Sequence, residues 1–132
     1  MLSRDAILSQ TSLRKVKVTI PEWGGEVHVR TMTAGQRDQF EATVEKVGTG
    51  DIRARLAVLT VCDEDGNLLF RDGDIPLLSS LSAKAVNRVF SVATKLNGIT
   101  AEDVEELKKN SQAILSDDTS SASPDVLDSP SE

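Results

Sequence analysis

The stretch Lys15–Met32, "KVKVTIPEWGGEVHVRTM", decides the class of fold. Val16, Val18 and Ile20 alternate with Lys15, Lys17 and Thr19, a period of two that gathers the apolar side chains on one face of a strand. Pro21 then opens a connection in which Gly24 and Gly25 can adopt the positive φ of a tight turn. Alternation resumes with Val27 and Val29 on one side and His28 and Arg30 on the other. The pattern predicts a β-hairpin.

Working outward, the residues before the hairpin form a flexible N-terminal segment, 1–13, with a short helix around Asp5–Leu8. After it, "TAGQ" (Thr33–Gln36) is a capping-box start, followed by Phe40, Val44 and Val47 at helical spacing and a stop at Gly48–Gly50. Asp51 is placed to cap a second helix, in which Ile52, Leu56 and Leu59 share a face that Ala57 and Val58 widen. Such breadth predicts a central helix, becoming extended at the β-branched Thr60–Val61. Ser82 begins what reads as the longest helix, with Val86, Val89, Phe90, Ala93 and Leu96 in one stripe and Asn97–Gly98 as its stop. Thr100, Glu102 and Asp103 start a last helix through Val104 and Leu107 towards Leu115, with Lys108 and Lys109 in the order the helix dipole favours. The expected class is α+β, predominantly helical: an N-terminal β-hairpin, about four helices and a disordered tail. The globular domain is expected over 14–115 and the acidic tail over 116–132, where Ser, Asp, Thr and Pro offer too little apolar surface to offset ordering entropy.

The totals exclude several classes. The 132 residues fit one domain, and 39% hydrophobic content is ordinary for a soluble one. Net charge is −6, but five of the 21 acids (Asp117, Asp118, Asp125, Asp128, Glu132) lie in 116–132, which has no Lys or Arg. The remainder, 16 acids against 15 bases, is nearly neutral and exerts no general attraction on nucleic acid or on anionic membranes. Trp23, Phe40, Phe70 and Phe90 are the only aromatic residues, too few for a base-stacking platform. The single Cys62 cannot form an internal disulfide, and no secretory or membrane-spanning stretch is visible, so an intracellular protein is expected.

The one stretch with the look of a ligand site is "DEDGNLLFRDGD", 63–74, with Asp63, Glu64, Asp65, Asp72 and Asp74 around two glycines. Counted as a calcium loop from Asp63, oxygen ligands fall correctly at Asp63, Asp65 and Asn67. Leu68, however, occupies the glycine position and the shorter Asp74 stands where a bidentate Glu is needed. Gly66 falls early, where it suits a tight turn between short extended pieces, and the turn is the better reading. His28, the sole histidine, leaves no His–Cys zinc cluster and no Ser-His-acid triad, and its strand position predicts an outward face. Exposed acid pairs such as Glu102 and Glu106 read as a solvated face, and "GTGD" lacks the Gly-Lys-Ser/Thr ending of a phosphate loop. No catalytic residue, metal site or cofactor is expected.

In their order along the chain, "KVTIPEWGGEVHVRTMTAGQRDQFE", "RARLAVLTVCDEDGNLLF" and "AVNRVFSVATKLNGITAEDVEELKKN" resemble the tail assembly chaperones of long-tailed (siphovirus-type) bacteriophages. The resemblance covers Lys15 to Asn110. In that family the "WGGEVHVR" hairpin, the "CDEDGNLLF" turn and the "LNG" helix stop recur. It implies a non-enzymatic chaperone that binds the tape measure protein, the long helical chain that sets tail length, and keeps it soluble until tail tube subunits polymerise around it. It also implies action in the host cytoplasm, absence from the mature virion, the tail tube protein and further copies of the chain as additional partners, and no nucleic acid or membrane. Family members are often made in a longer, frameshifted form as well, for which 116–132 would serve as a linker. The tape-measure surface it suggests is Val86, Val89, Phe90, Ala93 and Leu96, with Leu107 nearby, although a stripe of this kind more often packs inside. Two other readings remain: a small phage-encoded regulator or nucleic-acid-binding protein using Arg14, Lys15, Lys17, Arg53 and Arg55, and a calcium-responsive module built on the acidic turn.

Overall fold

Strand β1 (Lys15–Ile20) pairs antiparallel with β2 (Gly25–Arg30), from Lys15↔Arg30 to Ile20↔Gly25, as the alternation predicts. The computed structural model describes the backbone of residues 1–120 and the side chains of residues 1–110. Pro21–Trp23 form a single 3₁₀ turn, and Gly24, at φ 75°, takes the left-handed conformation that closes the hairpin. Val29 and Ile20 point into the core, with Val16, Val18 and Val27 packed at its margin.

The hairpin is two-thirds of a three-stranded sheet of order β1-β2-β3. The third strand, β3 (Val61–Cys62), pairs antiparallel with β2 through His28↔Cys62 and Val29↔Val61. The extension expected at Thr60–Val61 therefore occurs, and it serves to complete the sheet. His28 lies on the face opposite the core residue Val29, as expected, and is half-buried there because β3 and the turn after it lie alongside this end of β2. That turn is anchored by Arg30, whose Nη1 donates to the Gly66 carbonyl at 2.9 Å.

Six helices surround the sheet among the described residues: α1 (Arg4–Leu8), α2 (Ala34–Val47), α3 (Ile52–Thr60), α4 (Ile75–Ser79), α5 (Ala83–Leu96) and α6 (Ala101–Ser120). Helix α2 begins with the capping box read from the sequence. Thr33 Oγ1 accepts from Gln36 N at 3.1 Å, and Gln36 Oε1 accepts from Thr33 N at 2.9 Å. Phe40 and Val44 are buried, but Val47, the last residue before Gly48, is 54% exposed. Helix α3 is central, with Ala54, Leu56, Ala57 and Val58 all buried, while Ile52 and Leu59 sit at the margin. Asp51 holds the cap position at φ 59°, yet its carboxylate does not cap α3 and instead accepts from Ser79 Oγ at 2.8 Å. Helix α4, whose five residues are too few for a helical period to register, is absent from the sequence reading. The longest helix is α6 rather than α5, at 20 residues against 14. Its backbone continues past Ser116 to Ser120, since extending a helix fixes one residue per added hydrogen bond. The rest of the expected tail, 121–132, lies outside the described residues.

Asn97 ties these elements together. Its Oδ1 accepts from Met32 N at 2.7 Å, and its Nδ2 donates to the Ala93 carbonyl at 2.9 Å and, more distantly, to the Arg30 carbonyl at 3.5 Å. Its own carbonyl accepts from Arg37 Nη1 at 2.8 Å. The end of β2, the start of α2 and the end of α5 are thus fixed by one residue, after which Gly98, at φ 66°, redirects the chain into α6. Asn97→Ala leaves the Met32 N–H without its partner in a largely buried position. It is expected to lower stability by about 2 kcal/mol, read as a lower denaturant midpoint; a loss under about 0.5 kcal/mol would show that the tie is dispensable.

Candidate functional site

The acidic stretch is resolved into two separate turns. Asp63 Oδ1 accepts from the N–H groups of Asp65 and Asn67, each at 2.9 Å, and Gly66 sits at φ 87°. Backbone bonds Gly66 N–H to Asp63 carbonyl (3.0 Å) and Asp63 N–H to Asn67 carbonyl (2.9 Å) close the loop, and Leu68 bridges back to Cys62. Asp72 and Asp74 belong to a second, 3₁₀ turn in which Asp74 Oδ2 accepts from Arg71 N at 2.9 Å. The Asn67 N–H above all, with that of Asp65, holds the Asp63 carboxyl below the usual carboxylate range. These oxygens serve the backbone, and among the described residues no three His, Cys, Asp or Glu side chains converge as metal ligands. Cys62 is buried and its thiol is pushed up by that burial, the opposite of what a nucleophile requires.

Helix α5 spends its stripe on the interior. Val89 and Ala93 are fully buried and belong to the core with Leu107, while Phe90 and Leu96 are half-buried against it. Val86 is 6% exposed and borders a surface cleft. The six positions suggested for a partner are therefore brought together, but as the contact of α5 and α6 with the body.

The basic residues are distributed differently. Arg14, Lys15 and Lys17 lie along or beside β1, and Arg53 reaches α5, donating from Nη1 to Asn87 Oδ1 at 2.8 Å. Arg55 points elsewhere, to the Gly50 carbonyl, and lines a cleft between α2, α3 and α4. The five do not form one patch. Arg88, which the sequence reading passed over, forms a two-point ion pair with Glu22 (2.8 and 3.1 Å) that pins the hairpin turn to α5.

Among the described residues, exposed large apolar side chains fall in the N-terminal segment (Met1, Leu2, Ile7 and Leu8), at Val47 and Leu69, and at the α4 corner. Leu77 is 65% and Leu81 46% exposed. On one side lies a cleft of about 230 Å³ bordered by Ile52, Ala54, Leu78, Leu81 and Val86. On the other is one of about 360 Å³ bordered by Phe40, Val58, Leu59, Ile75 and Pro76. The flanking Ile75–Pro76 and Ser80–Leu81 carry no periodic signal in the sequence.

Residues 2–110 match the protein family described as phage tail assembly chaperone. The chain belongs to this family. The tail assembly chaperone of bacteriophage HK97 has a similar structure, with a TM-score of 0.54 and 19% sequence identity over 68% of this chain and 89% of that one. No curated protein sequence matches. Family membership assigns this tail assembly chaperone to non-enzymatic assembly work, in keeping with an acidic turn committed to its own backbone.

Asp103 parallels Asp63, its carboxyl held low chiefly by the Thr100 N–H it caps. Both carboxylates favour the folded chain above the unfolded pKa of about 3.9, and that contribution is lost as pH falls through the lower folded values. Melting temperature is expected to fall as pH drops below about 4, and Asp63→Asn to flatten that limb. An unchanged acid limb in the variant would mean that the turn contributes nothing.

Proposed function

We propose that this chaperone binds the tape measure protein of its phage and keeps it soluble until tail tube subunits assemble around it. It acts in the host cytoplasm and is displaced before the virion is complete. The family match over residues 2–110 carries this reading. The surface at α4 supports it. A long helix with an exposed apolar stripe aggregates unless the stripe is covered, and Leu77 and Leu81, near two clefts lined by both apolar and polar side chains, offer cover for a few side chains at helical spacing. So small a corner holds weakly, and several copies along one tape measure combine firm cover with ready displacement by the tail tube protein.

Co-expression with the tape measure candidate encoded beside the gene tests the reading. The candidate is expected to be soluble only in company and to co-purify. Leu77→Ser with Leu81→Ser should cut the soluble fraction by roughly tenfold without lowering the melting temperature. Val89→Ser should instead unfold the chaperone. Unchanged tape-measure solubility with no co-purification, in the longer frameshifted form as well, would overturn the reading.

A further inference from the structure

The backbone of β1 is bonded to β2 on one side only. Thr31 N–H donates to the Arg14 carbonyl at 2.9 Å, and from that closed pair the antiparallel ladder bonds every second residue, Val16 with Val29, Val18 with Val27 and Ile20 with Gly25. The N–H and carbonyl groups of Lys15, Lys17 and Thr19 therefore face the open edge. Besides β2, α5 is the main neighbour of β1, and between that edge and α5 runs a shallow groove of about 460 Å³. Val18 and Val92, both half-buried, give it an apolar floor, and Lys84, Asn87 and Ser91 stand along its α5 side. It shares no lining residue with either cleft beside α4.

Lysine on an open edge opposes pairing with a like strand. The alternation of β1 also dictates what a strand must carry in order to pair. Val16, Val18 and Ile20 point to the core face with Val29, and Lys15, Lys17 and Thr19 to the other. A strand laid on the edge places every second side chain over Val16 and Val18, beside Val92, and the intervening ones opposite Lys15 and Lys17. The first set has to be apolar, and charge complementarity makes the second acidic.

The acids already near this face leave that role open. Glu22 is held by Arg88 at 2.8 Å, and Glu26 approaches Lys17 from β2 at 3.8 Å. Lys15 and Lys84 have no ion-pair partner among the described residues. A second copy of β1 would bring lysine against lysine. A phosphate backbone would use the lysines and leave the valine floor idle.

We infer that the β1 edge receives an extended segment of a partner protein in which acidic and apolar residues alternate, adding a fourth strand to the sheet. Titration of the full chain with the acetylated, amidated peptide EVEVEV tests this. Amide signals of Lys15, Lys17 and Thr19 are expected to shift saturably at millimolar peptide and to exchange more slowly with solvent, because their N–H groups take the new bonds. Those of Val16 and Val18, already bonded to β2, should exchange as before. The peptide EEEVVV, equal in composition, should bind about tenfold more weakly, and so should EVEVEV to the Lys15→Glu, Lys17→Glu variant. Both lysines are exposed, so the variant should melt as the parent does. No saturable shift would overturn the inference. Equal binding of EEEVVV would reduce it to general charge attraction, and equal binding of KVKVKV would remove the preference for acids; either overturns it. So would the same shifts with oligothymidine, which would give the edge to nucleic acid, or on concentrating the chain alone, which would give it to a second copy.

Discussion

Asn97 joins three parts of the chain through directional bonds, accepting from Met32 N–H and donating to the Ala93 carbonyl while its own carbonyl holds Arg37. Hydrophobic burial gathers these elements but is non-directional, and does not by itself set how the end of β2, the start of α2 and the end of α5 meet. Arg30 performs a related task nearby, its guanidinium shared between the Gly66 carbonyl (2.9 Å) and Gln36 Oε1 (3.2 Å). Through these two residues the sheet, the acidic turn and the α2 capping box share one junction. The parallel course of α6 along α2 follows, because Gly98 turns the chain immediately after the Asn97 contact.

Once that junction is set, the most conspicuous apolar stripe of the sequence is no longer a surface. Val89 and Ala93 are closed in by the sheet and by α3, and Leu107 brings α6 against α2. The most amphipathic helix of the described chain, α5, thus builds the core. Apolar surface left exposed includes the short α4 corner, where Leu77 and Leu81 stand out of the packing. The weak, repeated contacts proposed for this chaperone suit such a surface, since a large buried interface would not release.

The local signals in the sequence were legible because each is a short-range physical device. Alternation at 15–20 and 27–30 reports a half-buried strand, Thr33–Gln36 a capping box, Asp65–Gly66 a turn and Asn97–Gly98 a helix stop, and all four stand in the fold. What could not be read depends on tertiary partners. Val61–Cys62 is too short to announce pairing with β2, and α4 is a single turn beginning at Ile75–Pro76. Asn97 read only as punctuation, since its three backbone partners are assembled by the fold. The stripe of α5 looked the same whether it faced a partner or the core. Val47 falls on the expected face yet is exposed at the last turn of α2, just before Gly48.

The α5 stripe belongs to the core, and the proposed partner surface is the α4 corner. Hydrogen–deuterium exchange of the chaperone alone and with bound tape measure protein tests it most directly. Added protection is predicted over residues 75–83, with exchange in α5 from Val86 to Leu96 unchanged. Protection arising chiefly elsewhere, or faster exchange through α5 as its stripe opens towards the partner, would contradict it.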